Sequence, residues 1–224
     1  MLDLSGMTYD AWLDFAFDHP AEDASNQDLV AIATTRPTGN EPMYWHYKKE
    51  WQYTCSAITA IANLTMLFQN PASLVKKYTM DQIEQGFWFI PGPNGFMWSI
   101  LSPEVSFKDR ANCIRSIVSL FDKLFCQYEV PGTSCYMWWD NVISYCVLNK
   151  KGLDTEMDVL AQVALTISEI LRLECQRAKD SALHGVEHLI EMTRYEKGEE
   201  IKEIILRTFE PDTAGLGKIK RTYN

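Results

Sequence analysis

The last third of the chain holds three amphipathic segments with almost nothing between them. Apolar residues recur at helical spacing over 156–171 (Met157, Leu160, Ala161, Ala164 and Leu171), over 174–193, and over 199–209 (Ile201, Ile204, Ile205 and Phe209). The breaks between them are a few residues long, with Gly198 in the second. Helices joined by turns this short must lie against one another as antiparallel neighbours.

The rest of the chain follows the same period. Residues 8–17 place Trp12, Phe15 and Ala16 on one face and Asp10, Asp14 and Asp18 on the other, with Thr8 as N-cap. Residues 28–35 suit one further short helix. Residues 50–69 are apolar nearly all round, which predicts a buried central helix, and 73–89 holds the next. Ala111, Ile114, Ile117, Val118, Phe121 and Phe125 give a long helix over 106–128, and 135–148 resumes with Trp138, Trp139, Val142 and Ile143. No segment alternates with period two, and the one Asn-Gly, at Asn94-Gly95, has no alternating flanks. The expectation is one all-α domain over 1–210, built of stacked antiparallel helix pairs or an irregular helical bundle, with a mobile tail over 211–224.

Charge narrows the partners. Residues 1–30 carry Asp3, Asp10, Asp14, Asp18, Glu22, Asp23 and Asp28 and no Lys or Arg, so most of the net charge of −9 belongs to this arm. An acidic chain suits no phosphate backbone, which argues against nucleic acid and, if anything, for a basic protein partner. No apolar run has the length of a membrane span, no secretion signal is visible, and the six cysteines form no C-x-x-C pair. A cytoplasmic protein with reduced thiols is expected.

Three stretches carry candidate function. Ile90 to Trp98 reads as a loop, yet it is crowded with Phe87, Trp88, Phe89, Phe96, Met97 and Trp98. It is either folded back on the core or a contact surface in which Trp88, Phe96 and Trp98 bind a partner. The aromatic cluster 44–53 covers the end of the core or stacks on a small ligand.

The third stretch is the helix of 177–192. On a helical wheel Arg177, Asp180, Ser181, His184, Glu187, His188 and Glu191 form one polar edge, while Ala182, Val186 and Leu189 lie opposite. His184-Gly-Val-Glu187-His188 spells H-x-x-E-H, a pattern of one class of zinc peptidases. That chemistry needs two imidazoles one turn apart, Glu187 as the base, and a downstream Glu ligand such as Glu191, Glu196, Glu199 or Glu203. The alternative is an ordinary hydrogen-bonded face in which His184, His188 and Glu191 contact a partner. Neither nucleotide-binding glycine pattern nor G-x-S-x-G is present, and no cofactor is expected.

Ser181-Ala-Leu-His-Gly-Val-Glu-His-Leu189, preceded by Glu174-Cys-Gln-Arg177 and followed by a charged helix, resembles the terminal helices of HEAT- and armadillo-like bacterial proteins. The resemblance covers about the last 55 residues. No repeat of about 40 residues runs through the N-terminal half. It implies a helical superhelix that binds other proteins and has no shared catalytic residues. The leading expectation is therefore a non-enzymatic, protein-binding scaffold or immunity-like regulator, with a zinc-dependent hydrolase as the alternative.

Overall fold

A computed structural model describes residues 1–20, 45–47, 51–148 and 153–209. The expected helix over 28–35 and the tail over 211–224 lie outside the described residues, as does part of the acidic arm.

Within them the chain is all-α, and eight α-helices follow one another: α1 (Tyr9–Phe17), α2 (Ala57–Gln69), α3 (Met80–Phe89), α4 (Phe107–Leu120), α5 (Trp138–Leu148), α6 (Leu153–Ile170), α7 (Gln176–Met192) and α8 (Gly198–Phe209). Their starts are chemically marked. Thr8, Ser56 and Ser106 accept backbone N–H bonds as N-caps, and Thr79 with Gln82 forms a full capping box. Short 3-10 segments at Pro71–Lys76 and Phe96–Leu101 break up stretches that helical spacing alone would run together.

Three details depart from the sequence reading. The helix expected over 73–89 is a 3-10 turn to Lys76 and an α-helix only from Met80. Leu2–Asp3 and Tyr53–Thr54 pair as a two-residue parallel ribbon, so residues 52–56 are not helical. The helix expected over 106–128 is α-helical only to Leu120, and Phe121–Phe125 is one π turn, closed by Cys126 N–H to the Phe121 carbonyl at 2.9 Å.

Packing centres on two lines. α2 lies on α4, and α4 on α6; α6 then touches α5, α7 and α8. α7 also packs on α5 and on α8, as the short turns at 171–175 and 193–197 require. The core is unusually aromatic. Trp138 and Trp139 are fully buried at the start of α5, Trp138 against Phe68, Phe87 and Phe125, and Trp139 stacked on Phe121. These two rings fix the rotation of α5 and so the direction in which the next residue, Asp140, points.

α7 approaches α5 closely because it presents a glycine. A Cβ on Gly185 would stand 2.9 Å from Trp139 and from the Ile167 side chain. Ala182 beside it is fully buried. No described helix is long and apolar enough to cross a membrane.

Candidate metal centre

Two side chains one turn apart on α7 and one from α5 converge on a point at the rim of this helix pair. His184 Nε2 lies 2.8 Å from Asp140 Oδ1, His188 Nε2 lies 3.1 Å from the same oxygen, and the two Nε2 atoms are 3.2 Å apart. The side chains are mostly but not wholly covered, with 16%, 21% and 25% of the His184, His188 and Asp140 side-chain surface exposed. Tyr136 stacks flat on the His184 ring at 4.2 Å, and the two imidazoles meet edge to face.

If both imidazoles donate to Asp140, two N–H groups crowd one carboxylate oxygen. A cation would instead take a lone pair from each of the three atoms. The size fits: donors held about 2.0–2.1 Å from one ion, at tetrahedral or octahedral angles, stand roughly 2.9–3.4 Å apart. Among the described residues this is the one group of three such side chains whose ligand atoms lie within 4.8 Å of one another.

The electrostatic setting is anionic. The hydrogen bond to Asp140 holds the His188 imidazolium against deprotonation, raising its pKa against the opposing effect of burial; Glu191 and Glu187 add to the rise. The same carboxylates attract a metal ion. Imidazole with carboxylate is a borderline donor set, suited to first-row transition ions rather than to calcium or magnesium. The Nδ1 atoms of both histidines are buried without a hydrogen-bond partner; Glu187 Oε2 lies 3.9 Å from that of His184.

The geometry reassigns several expected roles. The third side chain at the point of convergence is Asp140, upstream on another helix, rather than Glu191, Glu196, Glu199 or Glu203. Glu187 approaches the Nδ1 side of His184, away from the converging atoms, so it is placed to orient that ring and not to face a metal-bound water. Glu191 is exposed and acts on His188 through its charge. The polar edge of α7 is not uniform: Ser181 is fully buried and donates to the Cys135 carbonyl at 2.6 Å. Arg177 turns away to donate to the Phe125 and Tyr128 carbonyls.

The aromatic loop is mostly core. Phe96 is 2% exposed, and Phe89, Ile90 and Met97 are buried with it, so Phe96 is not available as a contact residue. Trp88 is half-buried and donates to Glu84 at 2.9 Å. Trp98 is 38% exposed and stacks on Tyr145 at 3.5 Å. Tyr53 and Tyr145 donate to the Asn94 and Pro91 carbonyls and tie the loop down. In the 44–53 cluster Trp45 is buried and stacked on His19, while Trp51 and Tyr53 surround Phe15, so these rings cover the end of the core.

The residue that sequence reasoning missed is Asp140. Its signal is an acid in the first turn of an otherwise aromatic and aliphatic helix, directly after two buried tryptophans. Comparison with protein-family models, curated proteins and solved structures finds nothing that matches this chain.

Proposed function

We propose that this protein binds one divalent first-row transition ion through Asp140, His184 and His188. The observation that carries the reading is the triangle of 2.8, 3.1 and 3.2 Å, in which three ligand atoms converge at the spacing that one small cation holds its donors. Three protein ligands leave positions open for water or substrate, as in catalytic rather than structural sites. An ion so held would act as a Lewis acid and lower the pKa of bound water, which suits metal-dependent hydrolysis. Tyr136 and Glu187 set the orientation of His184.

The test is calorimetric titration of the demetallated full chain with Zn²⁺, and with Mg²⁺ as control. One equivalent of Zn²⁺ should bind, Mg²⁺ should not, and His184→Ala and His188→Ala should each weaken Zn²⁺ at least about a hundredfold with the helical spectrum retained. Zn²⁺ binding that survives both substitutions contradicts the reading.

A second reading keeps the protein-binding role implied by the HEAT- and armadillo-like resemblance, and a different surface favours it. Between α2 and the start of α4 runs a groove of about 520 Å³ lined by the apolar Ile58, Ile61 and Val105 and by Glu104 and Asp109. Among the described residues no Lys or Arg lines it. Ile58 is exposed here. The occupant that fits is a basic, amphipathic segment of another protein. Ile58→Glu should abolish its capture while leaving Zn²⁺ affinity unchanged; loss of neither separates the groove from any binding role.

A further inference from the structure

The N-terminus of α7 is held against the end of the π turn by Arg177, which donates to the Phe125 carbonyl at 3.3 Å and to the Tyr128 carbonyl at 2.9 Å. This clasp brings together two thiols 49 positions apart in sequence. Cys126 closes the π turn, Cys175 is the N-cap residue of α7, and the two side chains are in hydrogen-bond contact. Both are half-buried, whereas Cys113, Cys135 and Cys146 are buried. Cys175 makes no capping hydrogen bond, so its sulfur is not committed to the helix end.

We propose that Cys126 and Cys175 form a reversible disulfide, a redox modification site that clamps the helix bearing His184 and His188. The hydrogen-bond contact between the two thiols sets them side by side, where Arg177 already holds α7 against the turn. The chemistry is oxidation by hydrogen peroxide. The Cys175 sulfur, at the positive end of the α7 dipole, attacks one peroxide oxygen. The O–O bond breaks, water leaves, and Cys175 becomes a sulfenic acid. The Cys126 sulfur then attacks that sulfur; the S–O bond breaks and a second water carries away the thiol proton. Two electrons pass from the thiols to the peroxide.

Three features fix the roles. Burial, with the neighbouring Cys175, pushes the Cys126 thiol up to about 12, so Cys126 suits the resolving and not the attacking step. The Arg177 charge opposes that shift. Burial pushes Cys135 up as well and limits the access of an oxidant to it. Cys55, the remaining half-buried thiol, follows the ribbon strand Tyr53–Thr54 and serves as the control.

The experiment treats the reduced full chain with a small excess of hydrogen peroxide, blocks free thiols, and maps peptides without reductant. The expected product is a single intramolecular link between the peptides of Cys126 and Cys175, lighter by two hydrogens, reversed by dithiothreitol and more resistant to thermal unfolding. Cys126→Ser and Cys175→Ser should each abolish it, with Cys126→Ser leaving a trappable sulfenic acid on Cys175. Cys55→Ser and Cys135→Ser should leave it intact. A link of Cys126 to Cys135, or two thiols that stay alkylatable after peroxide, overturns the proposal. Because metal binding is measured separately, failure here leaves the metal reading untouched.

Discussion

The loop of residues 87–98 and the polar edge of α7 both carry side chains that sit badly on a plain surface, and they resolve in opposite ways. In the loop, aromatic area is the dominant force. Phe89, Ile90, Phe96 and Met97 fold under, leaving Pro93, Asn94 and Trp98 as its exposed residues. On α7, burial stops short of the imidazoles, and what decides their role is a single carboxylate on the facing helix. A loop's fate follows from its own composition; a polar edge takes its meaning from the partner across the helix contact.

The contrast breaks first in the loop. Phe96→Ala should destabilise the fold by about 3–5 kcal/mol, the range for a large aromatic removed from a packed core. Chemical denaturation measures it. A loss under about 1 kcal/mol would return the loop to the surface and revive it as a contact site.

The next test concerns what anchors the loop. Glu84 is buried, and its carboxylate accepts from Trp88 Nε1, from the Thr133 and Ser134 amides at 2.9 Å each, and from the Ser134 hydroxyl. Gly132 has a positive φ of 78°, and a Cβ there would meet the Glu84 carboxylate at 2.3 Å. Glu84→Leu strands three N–H donors and should cost about 3 kcal/mol or more. Glu84→Gln keeps an acceptor for those N–H groups and a donor to Ser134. Burial outweighs these bonds and raises the Glu84 pKa. The associated stability is therefore fully present below the unfolded carboxyl pKa of about 4.3 and is lost as pH rises through the folded value. Glu84→Gln should accordingly gain on wild type between acid and neutral pH. A pH-independent difference between the two proteins would mean that the buried carboxyl is not perturbed.

Smaller effects sharpen the α7 side. Gly185→Ala must push Trp139 or Ile167 aside, which should cost roughly 1–3 kcal/mol and also weaken Zn²⁺ by shifting His184 relative to Asp140. Unchanged stability would show that α5 and α7 have slack between them. Trp98→Ala removes one exposed stacking partner of Tyr145 and should cost only about 1 kcal/mol, with no effect on metal.

The helices were legible because their apolar spacing is strong, and Thr8 announces the first within four residues; the caps Ser56 and Thr79 were not read, so the helices expected from 50 and 73 begin later, at Ala57 and Met80. The close approach of α7 was legible for the same reason, in Ala182 and Gly185. The π turn at Phe121–Phe125 was not, since an inserted residue hardly disturbs an apolar stripe that remains aromatic on every side. The two-residue ribbon of Leu2–Asp3 with Tyr53–Thr54 is too short to alternate. In the candidate site, the pair His184 and His188 could be read from a one-turn spacing. Asp140 could not, because its role depends on how Trp138 and Trp139 set the rotation of α5 against a helix more than 40 residues away.

Asp140 is therefore where the account is most exposed. The deciding measurement is the Zn²⁺ affinity of Asp140→Ala beside that of Glu187→Ala. Loss of a ligand should weaken binding at least about a hundredfold, while loss of the group behind His184 should weaken it by no more than about ten- to a hundredfold, as for outer partners of metal ligands. Binding untouched in Asp140→Ala but abolished in Glu187→Ala would contradict the site as built here, and would hand α7 back to the H-x-x-E-H reading of its own sequence.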